Sequence, residues 1–359
     1  MYFFLALAMI LIACPSHAND KNAAVFIRQS STFYSESVPL KDFEDDLKGG
    51  SFPVPGKHAL TYNRLEVGFG WQNFELARFM REDYVFEYTP DTMSIIYWDK
   101  NKKRIPAGSY DVYLKAQHIK TEGWRGGYRF ALPQDSHVLV SLNYMEAEDL
   151  LYGAIGGRVH VENGDINGGN LDVLYYYEED YLLDRPNVRP ANGKGYSFDV
   201  EAQINLQGGW RLDLNFYDLL GEIDWKNAPY TNATIASTNT YYDSEGYAHR
   251  DPMMTALEGY RKFTQKLPAF YQLSLSRDIY GPLGISYTRE KYDSVEFDRL
   301  FLLCRLPGDF HLKAGYDFTM SATWIGLESK AVTLNIATDD WSLVDSNSLV
   351  LRLAGRLTF

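Results

Sequence analysis

Tyr196-Ser-Phe-Asp-Val-Glu-Ala-Gln-Ile-Asn-Leu206, then Gln207-Gly208-Gly209, then Trp210-Arg-Leu-Asp-Leu-Asn-Phe-Tyr217, is the stretch on which the reading of the fold turns. In the first run Tyr196, Phe198, Val200, Ala202, Ile204 and Leu206 alternate with Ser197, Asp199, Glu201, Gln203 and Asn205. Successive side chains of a strand point to opposite faces, so each run has one apolar and one polar face. The second run repeats the pattern with Trp210, Leu212, Leu214 and Phe216 against Arg211, Asp213 and Asn215. The Gly-Gly pair between them is a tight-turn signal, and the whole reads as a hairpin of two long strands.

The same period of two recurs along the chain. Leu65, Val67, Phe69 and Trp71 oppose Arg64 and Glu66; Val138, Val140, Leu142 and Tyr144 oppose His137, Ser141 and Asn143. Tyr271, Leu273 and Leu275 oppose Gln272, Ser274 and Ser276; Phe310, Leu312, Ala314 and Tyr316 oppose His311, Lys313 and Asp317. Strands of a soluble sandwich are typically about 5–6 residues. Several runs here approach the roughly 9–11 residues of a tilted strand that crosses a bilayer. Aromatics gather at strand ends (Trp71, Trp124, Tyr144, Tyr196, Trp210, Phe359), where interface girdles of a membrane barrel belong.

Composition narrows the classes further. A chain with 45% hydrophobic residues is not disordered, and a net charge of −12 argues against nucleic acid as a partner. Beyond residue 18 there is no apolar run near the 20 residues that a spanning helix needs. A mean hydropathy of −0.31 is consistent with apolar residues at every second position. The 15% aromatic content reads as girdles.

The chain ends Leu349-Val-Leu-Arg-Leu-Ala-Gly-Arg-Leu-Thr-Phe359, with Leu349, Leu351, Leu353, Gly355, Leu357 and Phe359 on one face. This resembles the terminal strand of Gram-negative outer-membrane β-barrels, which ends in an aromatic residue and serves as an assembly signal. The resemblance implies an all-β, closed antiparallel transmembrane barrel over residues 59–359, with short periplasmic turns, longer outer loops and both termini in the periplasm. An open sheet edge cannot be satisfied in hydrocarbon, so closure follows. Such barrels are usually even-numbered, and 16 strands are expected within a range of 14–18. The turns at 306–309, 278–282, 207–209, 163–168 and 133–136 are all assigned to the periplasmic side. The implied partners are outer-membrane lipid, lipopolysaccharide and the barrel-insertion machinery, the last reading Phe359. No cofactor or metal is implied, and the oligomeric state is open.

The N-terminus, Met1-Tyr-Phe-Phe-Leu-Ala-Leu-Ala-Met-Ile-Leu-Ile-Ala-Cys14-Pro-Ser-His-Ala18, has the length of a secretory apolar core followed by small residues. Cleavage after Ala18 is expected, although no Lys or Arg precedes the core. Leu11-Ile12-Ala13-Cys14 offers a rival lipoprotein cut. With cleavage after Ala18 the mature chain holds one cysteine, Cys304, and cannot close an internal disulfide. Residues 19–58, with Gly49-Gly50, Pro53 and Pro55, are a first strand, a tail or a partial plug. Residues 179–194 and 226–256 read as long irregular segments, the first as an outer loop.

Three functional readings follow. Arg64, Glu66, Lys115, Asp199, Glu201, Arg211, Asp213, Lys313, Asp317, Arg352 and Arg356 fall on predicted inward faces. They describe a polar lumen without strong ion selectivity, hence a porin-like channel for small polar solutes. The irregular segments 19–58 and 226–256 favour instead a non-conducting barrel that acts as receptor, adhesin or envelope-assembly partner. A barrel enzyme acting on lipid or peptide needs a histidine with Ser or Asp near the rim; the candidates are His58, His118, His137, His160, His249 and His311, with no partner evident in sequence. Glu178, Glu179 and Asp180, after Tyr175-Tyr176-Tyr177, are a possible loop ligand site for sugars or cations; otherwise the tyrosines are girdle and the acids solvated. Asp218–Pro229 is dense in acids, Trp and Pro, and the sequence assigns it no role.

Overall fold

The computed structural model describes residues 23–180, 185–236, 240–242, 248–250, 254–308 and 310–359. The candidate export signal, residues 1–18 with Cys14, lies outside them. The strands are β1 (Ala23–Ser35), β2 (His58–Trp71), β3 (Phe74–Tyr88), β4 (Gly108–Leu132), β5 (Ser136–Glu162), β6 (Asp165–Tyr177), β7 (Gly193–Asn205), β8 (Trp210–Ala236), β9 (Thr240–Tyr242), β10 (Ala248–Arg250), β11 (Met254–Lys266), β12 (Phe270–Tyr280), β13 (Leu283–Tyr292), β14 (Val295–Leu306), β15 (Phe310–Asp317), β16 (Ala322–Glu328), β17 (Val332–Thr338) and β18 (Ser348–Thr358). Helices α1 (Leu40–Glu44) and α2 (Pro90–Lys100) lie in the first two long loops.

The sheet closes on itself. Fourteen strands form the ring, in the order β1-β2-β3-β4-β5-β7-β8-β12-β13-β14-β15-β16-β17-β18, and β18 pairs with β1. Every pairing is antiparallel, and mutual Ala23–Phe359 backbone hydrogen bonds at 3.2 and 3.0 Å extend the seam past β18. The two further strands of the sixteen-stranded sheet extend the ring at one end: β6 continues the line of β7 between β5 and β8, and β11 continues the line of β12 beside β8. Fourteen in the ring and sixteen in the sheet both fall within the expected range. Residues 23–35 are thus a strand of the wall, followed by a loop with α1, rather than a tail or a plug.

Register confirms the alternation read from sequence, since opposed residues share a face. Val67, Phe69, Trp71, Leu76, Val140, Leu142, Phe198, Leu273, Leu300, Leu312, Ile325 and Leu334 all point outward, and each remains at least 39% exposed. Exposed apolar groups on thirteen of the fourteen staves, with partly exposed leucines on β18, form a continuous belt, which only a hydrocarbon environment makes favourable. Trp71, Phe74, Phe310 and Phe359 edge the belt near the short turns, and Trp124, Tyr196, Tyr287 and Tyr316 edge it on the other side. Beyond that second edge the outward face turns ionic, with Arg78–Glu122 at 2.8 Å, Lys194–Glu146 at 3.7 Å and Lys291–Glu296 at 3.1 Å.

Ala23, Phe359 and the turns after β2, β4, β7, β12, β14 and β16 share one end, here the turn end. One assignment is corrected: the turn at 163–168 lies at the opposite, loop end. β5 is one strand of 27 residues, so its two ends are on opposite sides of the belt, and the left-handed pair Asn163 (φ 56°) and Gly164 (φ 94°) closes the hairpin to β6. The stretch 226–256 is also more regular than its sequence indicates, since residues 226–236 belong to β8 and 254–256 to β11. Together the loop-end halves of β4, β5 and β8 with β6 and β11 make a wing that rises above one side of the ring.

Candidate functional site

The inward faces meet inside the ring. Most of the eleven residues expected on inward faces are held in ion pairs and do not face open water. Arg64 pairs with Glu66 at 2.7 Å and Asp199 at 3.2 Å; Arg125 pairs with Asp199 at 3.1 Å and with Glu201. Glu75 gathers Arg28 at 3.2 Å, Arg129 at 2.9 Å and Arg356 at 3.0 Å. Arg299 joins Glu290 and Asp317, both at 2.6 Å, and Arg352 reaches Glu290 at 2.5 Å. Arg211–Asp213 (2.9 Å) and Lys313–Glu328 (3.6 Å) lie nearer the turn end, and Lys115 sits in the wing, in register with Glu87 and Ala154.

A second knot explains the dense stretch at 218. Arg81 pairs with Asp83 and, at 2.6 Å, with Asp218; Tyr292 donates to Asp83 at 2.9 Å. Ser197 Oγ donates to Asp218 at 2.9 Å, and the Asp218 amide donates to Asp199 at 3.0 Å, linking the two networks. Asp218 adopts a left-handed backbone (φ 58°) where β8 bulges against β7, and that bulge turns its carboxylate into the lumen. Arg28, Glu75, Arg81, Asp83, Arg125, Glu290 and Arg299 escaped the sequence reading. The alternation of Glu75, Ala77, Phe79, Arg81 and Asp83 along β3 carried the signal, but Arg78 and Glu82 on its outer face blurred it.

Toward the loop end, aromatics complete the filling. Tyr34, Tyr62, Phe270, Tyr292, Phe297, Phe301 and Trp324 form one buried cluster, and Phe79, Ile119, Met145, Ile223 and Trp225 belong to a second on the wing side. Gly315 makes room for this layer: a Cβ there would collide with the Phe301 ring, which packs edge-on against Trp324 at 5.7 Å. Much of the aromatic content is therefore interior packing, not only girdle as the composition implied.

Below the aromatics lie two cavities that share Glu201 and Gln272, the lower one polar and the upper one lined more by apolar than by polar surface. The upper, about 190 Å³, is bounded by Arg28, Arg64, Arg352, Tyr62 and Tyr217. The lower, about 290 Å³, is lined by His137, Gln203, Asn215, Ser274, Ser276, Ser286 and the Arg211–Asp213 and Lys313–Glu328 pairs, close to the turn end.

The other candidate residues are dispersed. The Glu178 carboxylate accepts the Asp149 amide at 2.8 Å; burial, with Asp149 and Glu148 nearby, pushes its carboxyl above the usual value. Asp180 is buried and takes the Tyr175 hydroxyl; Tyr175 and Tyr177 pack with Val173 and Ala233 beneath the loop after β6. These tyrosines are wing core rather than girdle, and Asp180 is not solvated. Among the described residues, no group of three His, Cys, Asp or Glu side chains is placed to hold a metal ion. His58 pairs with Glu36 at 3.0 Å, His118 stacks on Tyr84 outside the wall, and His137 faces the lower cavity. His160 lies in the wing part of β5, His311 opposite Glu328, and His249 in β10. Among the histidines whose side chains are described (His58, His118, His137, His160 and His311), none is hydrogen-bonded to a serine.

The closed ring, the apolar belt and the charged interior define a transmembrane β-barrel. No family model matches the chain, and no curated protein matches its sequence. Among solved structures, it is similar to the monoaromatic hydrocarbon channel TodX carrying an S2–S3 deletion, at 10% identity and TM-score 0.46 over 96% of this chain and 93% of that one. It is also similar to the toluene transporter TbuX of Ralstonia pickettii, at 8% identity and TM-score 0.42 over 95% and 90%. A third is the translocator domain of the autotransporter NalP of Neisseria meningitidis, at 9% and 0.31 over 100% and 94%. At such distances the likeness concerns fold alone.

Proposed function

We propose that the protein is a channel of the outer membrane for small polar solutes, reached after removal of residues 1–18 and held shut by its ion-pair and aromatic layers. The observation that carries this reading is the pair of adjoining cavities. Carboxamides, hydroxyls and paired charges line the lower one, charged groups share the upper one with Tyr62, Tyr217 and Phe270, and a purely structural core of this size would be packed solid. Lipopolysaccharide around the belt and the barrel-insertion machinery acting on Phe359 are the partners this reading requires. The test is conductance of the purified, folded barrel in planar bilayers. Wild type is expected to open rarely and in small steps, and Arg125→Ala with Glu201→Ala to open more often and wider. Silence from both, with no solute uptake by vesicles that contain them, would overturn the proposal.

A second reading is a non-conducting receptor or assembly barrel. Its support is the completeness of the filling at the loop end, where Arg81, Asp83, Tyr292, Arg299 and Trp324 are all buried. It predicts that removal of the ion pairs destabilises the barrel without opening it.

A further inference from the structure

The wing has two edges, and the chain treats them differently. At one edge, residues 111–113 of β4 are covered by the start of α2. Asp91 accepts the Asp111 amide at 2.8 Å, and Thr89 donates to the Asp111 carbonyl at 2.6 Å. Thr92 accepts the Tyr113 amide and donates to the Tyr113 carbonyl, both at 2.9 Å. Four side-chain hydrogen bonds thus satisfy the donors and acceptors of that edge. The other edge is β11, which pairs with β8 along its length and with no other described strand. β13, the neighbour of β12 below, turns back at Asp293, so its ladder with β12 stops at Phe270 and leaves β11 without a strand partner above it; the Lys266 carbonyl at its end accepts the Gln117 side chain at 2.9 Å.

An exposed strand edge is a template for a further strand, because main-chain hydrogen bonds supply affinity and alternate side chains supply selection. We propose that β11 is a docking edge that takes an extended acidic segment of another protein by strand addition. The charge of the edge supports that choice. Glu258, its one acid, is held by Arg185 at 3.3 Å, whereas Lys262 and Lys266 are exposed and make no described ion pair, Lys266 lying opposite Glu222 in the ladder. Leu257 (61% exposed) adds an apolar contact on the face opposite these lysines. A second copy in the same membrane is a poor occupant. β11 runs from the loop end toward the belt in every copy, and the two-fold axis of an antiparallel self-pair would turn one barrel upside down.

The experiment uses the full barrel in detergent micelles and a labelled nine-residue peptide of alternating Thr and Glu. Anisotropy reports binding, and amide exchange reports where. The peptide should bind and slow exchange within residues 254–266. Lys262→Glu with Lys266→Glu should weaken binding at least tenfold; both side chains are exposed, so the fold should tolerate the change. A peptide of equal charge with its central Thr replaced by Pro should also lose at least tenfold, because proline cannot donate to the ladder. Equal binding of the two peptides would mean charge attraction without strand addition and would overturn the proposal. So would absence of binding, protection elsewhere on the barrel, or self-association through β11 in place of peptide capture.

Discussion

Arg81 Nη1 lies 2.6 Å from a carboxylate oxygen of Asp218, a residue 137 positions away and on a strand that does not neighbour its own. β3 and β8 are separated in the ring by β4, β5 and β7, so this pair reaches across the interior and ties two parts of the wall together. Such a bond is possible only where the lumen is narrow enough for two side chains to span it. The pair therefore marks a level at which the barrel is a core, not a pore.

Removal of one partner is expected to be costly. Asp218→Ala leaves Arg81 buried with Asp83 as its one carboxylate partner and removes the acceptor of the Ser197 hydroxyl, and loss of one member of a buried ion pair costs about 3–5 kcal/mol. The midpoint of thermal unfolding, read from the mobility shift of the folded barrel on SDS gels, should fall clearly. Replacement of Arg81, Asp83 and Asp218 together by leucines should restore much of that loss, since a buried ionic group can often be exchanged for apolar packing of similar volume. A triple variant less stable than the single one would show that the network contributes more than its desolvation cost.

Glu75 is the balance point of the lower lumen. Its carboxylate faces Arg28, Arg129 and Arg356 within 3.2 Å, with Arg125 at 3.9 Å. Glu75→Gln keeps the shape and removes the charge, which leaves four guanidiniums in mutual repulsion. A stability loss of about 3–5 kcal/mol is expected by denaturant titration. If the barrel conducts, the same variant should shift selectivity toward anions, measured as a change in reversal potential across a salt gradient. Unchanged selectivity in a conducting variant would place the ion path away from Glu75.

How far the sequence carried the fold depends on what each residue had to report. Arg64, Glu66, Asp199 and Arg352 are inward because a period of two puts them there, and that period is local information. Strand length is not: nothing in Tyr152-Gly-Ala-Ile-Gly-Gly157 says that β5 continues past the belt, so the turn at 163–168 was placed at the wrong end. Nor did polarity alone separate a wet lumen from an ion-paired core. Arg64 and Asp199 are 135 positions apart, and only closure of the ring brings them together. Tyr292, Phe297 and Phe301 occupy inward positions among polar ones, and that break in alternation was the available sign that the interior is packed.

In the loop after β6, the Asp180–Tyr175 contact is one that a single change removes. Tyr175→Phe keeps the ring within the wing cluster but leaves the buried Asp180 short of a donor, at a cost of about 1–3 kcal/mol. Because the wing stands outside the ring, the loss should be local. Limited proteolysis is expected to nick the chain between residues 178 and 192 faster in the variant, with the thermal midpoint of the ring unchanged. Matching declines in both would mean that wing and ring unfold as one unit.

Phe359 separates assembly from stability. Its amide and carbonyl exchange hydrogen bonds with Ala23 at 3.0 and 3.2 Å, at the turn end of the β1–β18 seam, and its ring sits on the outer face of the belt edge. Deletion costs those two hydrogen bonds, each worth about 0.5–1.5 kcal/mol net, against eleven registered residue pairs that remain between the strands. The purified variant should therefore refold in detergent almost as well as wild type. If the aromatic end is read by the insertion machinery, the same deletion should sharply lower the amount of folded barrel recovered from outer membranes. Equal recovery in cells would remove the assembly role and leave Phe359 as a girdle residue, whereas poor refolding in detergent would show the seam to depend on its last residue more than its bonds imply.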